Sequence, residues 1–160
     1  MNPAPWQHAD GVRKLHWSYA TLRGFNVKEP FAAMLLDGSK PFETRSYDVN
    51  RGHSGHFAEE WFWVVECPGN SRKGRAQILG IIKFASEATR YTSLEEWRAD
   101  RARHRVPEGS PKDWDGRGRM YAWRVEQYYA LRRPLEPPEQ KGNINSKPVM
   151  RALAPDSWVV

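Results

Sequence analysis

The chain has 160 residues, the size of one ordinary domain, and its 39% hydrophobic and 28% charged residues exclude an intrinsically disordered protein. Its formal net charge of +6 favours anionic partners such as phosphates. Its eight tryptophans can fill a core or stack on nucleobases, so their number alone does not choose between packing and recognition.

The single cysteine, Cys67, excludes an internal disulfide and a cysteine-rich zinc site. It ends an apolar run, where a free cysteine is usually a small buried residue. No apolar stretch reaches the length of a membrane span, and the polar N-terminus lacks the apolar region of a signal peptide. We therefore expect an intracellular monomer without a membrane partner, in the cytoplasm or alternatively in the nucleus.

The chain begins with a segment that shows little periodicity. Residues 1–22 are polar and contain Pro3, Pro5 and Gly11, so they are predicted to be an N-terminal extension with at most a turn of helix near 12–19. The next residues, 23–28, alternate in the manner of a short strand.

A short helix is predicted to follow this strand. Pro30 suits the first helical position, and Phe31, Met34 and Leu35 form an apolar stripe at helical spacing. Gly38 supplies the left-handed residue that commonly follows a helix.

The segment after the helix, Lys40–Tyr47, is predicted to be a strand. Period-two geometry places Phe42 and Thr44 on one face and Glu43 and Arg45 on the other. Charged side chains from a short piece of backbone would then project toward one side.

The rest of the chain supplies more strands and one further helix. Residues 76–84 are predicted to form the central strand, because a near-continuous apolar run suits a strand covered on both faces. Ser93 and Glu96 form a capping box for a helix running toward Arg105. Further strands are predicted at 61–65 and 120–131. Short strands with few helices and no regular βαβ alternation indicate an α+β protein with a mixed sheet or small barrel.

Lys40, Glu43 and Arg45 are the leading candidates for chemistry. A lysine beside a carboxylate can bind phosphate or, with its pKa lowered by burial, act as a base, and a guanidinium can clamp an anion with two hydrogen bonds. The alternative is an exposed strand whose Glu43–Arg45 ion pair contributes little.

Three other groups of residues are candidates for a functional role. The basic run Arg98–Arg105 can track a phosphate backbone or simply be a solvated helix face. Tyr47, Trp114 and Tyr121 are candidates for stacking on a base, although most aromatic residues near strands belong to the core. His53 and His56 have a spacing that metal sites use, but a surface loop is the favoured interpretation, so no metal is predicted.

Known cofactor fingerprints are missing from the sequence. It contains no phosphate-binding loop, no Gly-x-Ser-x-Gly elbow and no dinucleotide motif. No cofactor is therefore predicted.

The segment 28–45 resembles the opening signature of ASCH domains, a group within the PUA-like superfamily. The signature is a strand, a helix that starts with Pro and an aromatic residue, and Gly-x-Lys-x-x-Glu-x-Arg, which stands here at Gly38–Arg45. Residues 61–66 and 77–82, the latter with Gly80, are similar to the family's central strands. Residues 134–147 are similar to a Pro-x-x-Gly-Asn tail.

The resemblance covers 23–153, which leaves 1–22 as an N-terminal extension and 154–160 as a C-terminal tail. It implies a small mixed β-barrel of the PUA-like type with flanking helices and a cleft beside the motif. The implied partners are RNA, another single-stranded nucleic acid or a modified nucleoside. Combined with the residue analysis, it predicts a ligand-binding set of Gly38, Lys40, Glu43, Arg45, Tyr47, Arg101, Arg105, Lys141 and Asn143.

The resemblance also leaves an enzymatic alternative open. Some small ASCH proteins hydrolyse acetylated cytidine with the motif lysine, a threonine three residues later and a distant glutamate. Lys40 matches the first of these positions, Glu43 replaces the threonine, and Glu108 is the candidate for the third. The catalytic set would then be Lys40, Glu43 and Glu108. Ribonuclease activity and a protein-binding adaptor role are the remaining alternatives.

Overall fold

The computed structural model describes residues 6–9, 12–15, 21–51, 57–68, 75–136, 150–151 and 158–159. Its elements in chain order are β1 (Trp6–Ala9), β2 (Val12–Leu15), β3 (Thr21–Lys28), α1 (Phe31–Leu36), β4 (Phe42–Arg45), β5 (Trp61–Cys67), β6 (Gln77–Arg90), α2 (Leu94–Ala99), α3 (Arg101–His104), β7 (Tyr121–Leu135), β8 (Met150–Arg151) and β9 (Trp158–Val159).

The strands form one mixed sheet in the order β1-β2-β9-β7-β6-β5-β3-β8, and β4 pairs with β7 off this path. Strands β3 and β5 are parallel, whereas the β5–β6 and β6–β7 pairs are antiparallel. Register shifts interrupt both antiparallel pairs, and such bulges bend strands and increase their twist. The result is a strongly curled, barrel-like sheet with a few helices, which confirms the predicted α+β fold class.

The two faces of the central strands bury different clusters of side chains. One cluster lies beneath α1 and includes Phe25, Leu35, Phe84 and Trp123, all almost completely inaccessible to solvent. The opposite face buries a second cluster around Trp63. The central strand predicted at 76–84 is found as the first part of β6, from Gln77 onward, and both of its faces are covered as predicted.

The first helix is shorter and differently buried than its apolar stripe predicts. Pro30 lies just before the first helical residue, and Ala32, Leu35 and Leu36 are its buried residues. Met34 is only partly covered. The helical period alone did not identify Ala32 as buried, because a small side chain contributes little to a hydrophobic pattern. The same small side chain lets the helix approach the sheet closely.

The predicted helix from Ser93 toward Arg105 is two helices, α2 and α3, with Asp100 between them. The Ser93 hydroxyl accepts a hydrogen bond from the amide of Glu96, as predicted, and the Glu96 carboxylate accepts hydrogen bonds from the amide and the hydroxyl of Thr92 at 2.8 and 2.9 Å. The carboxylate of Asp100 instead accepts from the hydroxyl of Tyr91 at 2.5 Å, and this contact fixes the junction between the helices.

The described strands near the N-terminus test one of the predictions made for this region. The turn of helix near 12–19 is wrong at 12–15, which is the strand β2 paired with β1. The sequence between these strands is Asp10-Gly11, which is typical of a two-residue hairpin and outweighs the weak helical spacing. Strands β1 and β2 fall within the predicted extension, and β9 falls within the predicted tail. The boundaries 1–22, 23–153 and 154–160 stay a prediction.

Candidate functional site

The motif segment, Gly38–Arg45, lies where α1 ends and the chain enters the sheet. Gly38 has φ +83°, and the amide of Lys40 donates a hydrogen bond back to the main-chain oxygen of Met34 at 3.0 Å. The segment then pairs with β7, with Glu43 opposite Trp123 and Arg45 opposite Tyr121. A helix end and a strand pairing therefore fix both ends of the motif.

Lys40 is almost completely buried, with 1% of its surface exposed. Its ammonium group donates hydrogen bonds to the main-chain oxygens of Phe42 at 2.7 Å and His104 at 2.5 Å. It also lies 5.3 Å from the centre of the Phe31 ring and 4.0 Å from a carboxylate oxygen of Glu43. Burial lowers the pKa of the Lys40 amine, and the negative charge of Glu43 opposes that shift.

Glu43 is also buried, with 6% of its surface exposed. Its Oε1 accepts a hydrogen bond from the main-chain amide of Thr44 at 2.7 Å. Its Oε2 lies 3.9 Å from Nη2 of Arg45, too far for a hydrogen bond, and has no hydrogen-bond partner among the described residues. One oxygen of this carboxylate is therefore committed to the fold and the other is available.

Arg45 packs against the core. Its guanidinium carbon is 4.5 Å from the centre of the Phe25 ring, and its Nη2 donates to the main-chain oxygen of Asn26 at 2.8 Å. Its Nε is buried and makes no hydrogen bond with another described group. A guanidinium held in this way presents a fixed donor with little conformational entropy left to lose.

Asn26 completes this group and was missed by the sequence analysis. It lies on β3 beside the Arg45 guanidinium, and its Oδ1 is buried without a hydrogen-bond partner among the described residues. The available signal was a single amide between the buried residues Phe25 and Val27 of a strand. That pattern is common on solvated sheet faces and does not by itself distinguish a binding residue.

These side chains line a cavity of about 570 Å³, which we call the motif cleft. Its size is typical of small-molecule sites. Four cationic side chains and one anionic side chain contribute to its walls. The lining residues are Asn26, Val27, Lys28, Phe31, Lys40, Glu43, Thr44, Arg45, Ser46, Tyr47, Cys67, Val106, Lys112 and Met120.

A smaller cavity of about 360 Å³ adjoins the motif cleft, and we call it the adjoining hollow. Ser46 and Tyr47 line both cavities. The remaining walls of the adjoining hollow come from the turn after β4 and from the start of β7. They are Asp48, Asn50, Arg51, Arg119 and Tyr121.

The helix pair α2–α3 closes one end of the site through His104. The imidazole of His104 is buried and stacks on Trp97 at 3.8 Å. Its Nδ1 accepts from the amide of Val106 at 3.0 Å, so Nε2 is the nitrogen that donates to the main-chain oxygen of Trp97 at 2.9 Å. Burial lowers the pKa of His104, which keeps the ring neutral and its carbonyl in place over Lys40.

Comparison with solved structures finds the same fold in a bacterial ASCH protein. The crystal structure of ASCH from Zymomonas mobilis matches with a TM-score of 0.52 and 14% identity, over 70% of this chain and 71% of that one. Two single-residue variants of the same protein match with TM-scores of 0.52 and 0.51. The chain has the ASCH fold. No family model and no curated protein matches it.

In this ASCH fold, several predicted site residues line neither cavity. Gly38 turns the chain at the end of α1, and Arg101 donates to the main-chain oxygen of Val106 at 2.5 Å. Arg105 is exposed and ends α3 with φ 60°, and Glu108 is exposed in the following loop. The motif cleft therefore brings together Lys40, Glu43, Arg45 and Tyr47, without Glu108.

The structure describes some of the other predicted residues, whereas others lie outside the described part of the chain. Trp114 is buried and donates to the main-chain oxygen of Arg117 at 2.8 Å, so it belongs to the core beneath α2 and does not serve as a stacking surface. Lys141, Asn143, His53 and His56 lie outside the described residues. Among the residues that are described, no group of three His, Cys, Asp or Glu side chains could share a metal ion. No helix in the described part of the chain is long and apolar enough to cross a membrane.

Proposed function

We propose that this chain binds single-stranded RNA or a nucleotide in the motif cleft. The observation that carries the proposal is a group of three buried polar atoms in the walls of one cavity: Oδ1 of Asn26, Oε2 of Glu43 and Nε of Arg45. None of them has a hydrogen-bond partner in the described part of the chain. Buried polar atoms without partners are costly and uncommon, so their concentration in one cleft supports a ligand that pairs with them.

The chemistry of the three atoms favours a nucleobase over a bare phosphate. Asn26 and Glu43 offer acceptors, which require hydrogen-bond donors from the ligand, whereas Arg45 offers a donor. Phosphate oxygens at neutral pH are almost only acceptors. A nucleobase edge carries amino or ring N–H donors beside carbonyl or ring-nitrogen acceptors, and such edges are what proteins pair with in single-stranded RNA.

The cations of the cleft supply the complementary attraction for phosphate. Lys28 and Lys112 are exposed members of its lining, and Arg45 is one-quarter exposed. Binding through these groups would release counterions from the nucleic acid and would weaken as salt increases.

Fluorescence anisotropy with a labelled single-stranded RNA tests the proposal. We expect binding that weakens steeply with salt and a loss of about tenfold or more in Arg45→Gln, since a charge-assisted contact is worth more than 1.4 kcal/mol. Arg117→Gln is the matched control, because Arg117 is 91% exposed and lines neither cavity. Absence of binding, or equal losses in the two variants, would refute the proposal.

Hydrolysis of a modified nucleoside is the second candidate, and the lowered pKa of the Lys40 amine favours it. A neutral amine can keep both carbonyl hydrogen bonds and still offer a lone pair that takes a proton from water. In an acetylated cytidine, the hydroxide left by this proton transfer would add to the acetyl carbon. The Lys40 ammonium would return the proton to the exocyclic nitrogen as the C–N bond breaks, and acetate and cytidine would leave. An assay of acetate release from acetylcytidine tests this, and no turnover by the wild type would remove the hypothesis.

A further inference from the structure

We infer that the adjoining hollow binds a second nucleotide of the same strand, next to the nucleotide held in the motif cleft. This inference rests on the proposed function and extends it from a single nucleotide to a ligand of at least two. It assigns a role to a cavity in which the sequence analysis suggested only the stacking residues Tyr47 and Tyr121.

Strand pairing places the two cavities side by side. Arg45 in the wall of the motif cleft is directly opposite Tyr121 in the wall of the adjoining hollow. Residues directly opposite each other in antiparallel strands have Cβ atoms about 4.5–5.5 Å apart. Ser46 and Tyr47 form a wall that the two cavities share. A nucleic-acid strand that leaves the motif cleft along β4 would therefore enter the adjoining hollow without crossing another helix or strand of the protein.

The two tyrosines in the wall of the adjoining hollow are held in place by the core behind them. Tyr47 and Tyr121 are partly buried and pack against the core cluster beneath α1. The Tyr47 ring contacts Trp123 edge to face at 5.3 Å, and the indole nitrogen of Trp123 donates to the main-chain oxygen of Tyr47 at 3.0 Å. Tyr121 lines the adjoining hollow with a ring that the core holds in place, and an aromatic ring fixed in this way is a suitable platform for base stacking.

The charges of the adjoining hollow favour a phosphate near the tyrosines. Arg51 and Arg119 are exposed, and neither forms an ion pair with another described residue. Asp48 is the opposing charge, but its Oδ1 accepts from the amide of Asn50 at 2.8 Å and its main-chain oxygen accepts from the amide of Arg51 at 2.9 Å. Asp48 therefore shapes the turn that presents Arg51, and the two guanidinium groups remain available for an anion.

The combination of fixed rings and available guanidinium groups matches the repeating chemistry of a nucleic-acid strand, in which a base alternates with a phosphate. A free nucleoside would fill the motif cleft and leave these groups unused. The structure therefore favours a polymer ligand over an isolated nucleoside.

Titration with a series of mono-, di- and tetranucleotides tests the inference. We expect the dinucleotide to bind about tenfold more tightly than the mononucleotide to the wild type. In Arg119→Gln this advantage should shrink to a few fold, while mononucleotide affinity stays unchanged. Arg117→Gln, two positions away and lining neither cavity, should behave as the wild type.

The outcomes separate this inference from the proposed function. Equal affinities for mono- and dinucleotides, or equal losses for both ligands in Arg119→Gln, would overturn the second subsite while mononucleotide binding upheld the first. A failure of every nucleotide to bind would overturn both. A DNA dinucleotide of the same sequence that binds as tightly as the RNA one would keep the subsite and remove any role for the ribose hydroxyl.

Discussion

The ammonium group of Lys40 donates a hydrogen bond to the main-chain oxygen of His104, which lies 64 positions further along the chain. This bond joins the motif segment to the helix pair α2–α3 across the end of the cleft. It shows that the motif lysine has a structural partner as well as a position in the candidate site. Substitutions at Lys40 must therefore be analysed for folding and for binding separately.

Lys40→Met is expected to destabilise the fold and to weaken RNA binding. Removing the ammonium leaves two main-chain oxygens without their hydrogen-bond donor and the buried Glu43 without its neighbouring positive charge. We expect this to lower the free energy of unfolding by about 2–3 kcal/mol. Urea unfolding measures this loss, and anisotropy at a temperature where the variant is folded measures binding. Lys83→Met is the control, since its pairs with Glu59 and Glu126 are partly exposed and contribute little. An equal loss of stability in both variants would contradict the structural role of Lys40.

The lowered pKa of His104 leads us to expect that the fold loses stability in mild acid. Its pKa in the folded protein is lowered below 6.5 by burial, so the unfolded chain takes up a proton first as the pH falls. Stability is then complete above about pH 6.5 and decreases below it, by up to about 1.4 kcal/mol per pH unit. Urea unfolding between pH 7.5 and pH 5 measures the slope.

His104→Gln should be less stable than the wild type at pH 7.5 and should lack this part of the slope. The other histidines remain in both proteins, so the difference between the two curves isolates His104. Parallel curves for the two proteins would show that the His104 ring is not the titrating group.

Gly38→Ala tests whether Gly38 serves the fold or the ligand. A methyl group there would stand 2.4 Å from the hydroxyl oxygen of Tyr128, and φ +83° is unfavourable for any residue with a Cβ. We expect a loss of more than about 2 kcal/mol in the free energy of unfolding, of which the backbone accounts for about 1–2 kcal/mol. Binding per folded molecule should not change, because Gly38 does not line either cavity.

The same substitution in a Tyr128→Ala background separates the two causes. Tyr128 is 40% exposed, so its own removal should be tolerated, and the cost of Gly38→Ala should fall to the backbone part. An unchanged cost in that background would mean that the ring is not the obstacle.

Asn26→Ala is expected to weaken nucleotide binding with little effect on stability. The amide oxygen of Asn26 makes no hydrogen bond within the described residues, so its removal should change the free energy of unfolding by less than about 1 kcal/mol. Asn50→Ala provides the contrast in stability, because the Asn50 side chain donates to the main-chain oxygen of Ser86 at 2.8 Å. A stable Asn26→Ala variant with unaltered affinity would remove Asn26 from the site.

The sequence predicted the secondary structure around the site better than the contacts of its residues. Period-two alternation identified β3 and the core of β4, and an apolar run identified β6, because these signals depend on neighbouring residues. The strand predicted at 40–47 is shorter in the structure, where Lys40 lies before β4 and points into the protein to reach His104. That partner depends on how α3 packs, which local patterns do not encode.

The same limit explains the residues that sequence reasoning misplaced. Arg101 belongs to a basic run that suggests a phosphate-binding face, yet its guanidinium spans Val106 and Asp113 and braces the loop after α3. Asn26 and Lys112 line the cleft, although neither is among the ligand-binding residues predicted from the sequence. Charge and composition identify candidates, and tertiary packing determines which of them meet.

Burial of the Lys40 amine also makes it a chemical reporter of motion. Reagents that acylate amines reach the exposed Lys112 freely, but they reach the buried Lys40 only when its contact with His104 is broken. The ratio of labelling at these two lysines, read by mass spectrometry, therefore measures how often α2–α3 separates from the motif segment. A ligand that occupies the cleft should slow labelling of both.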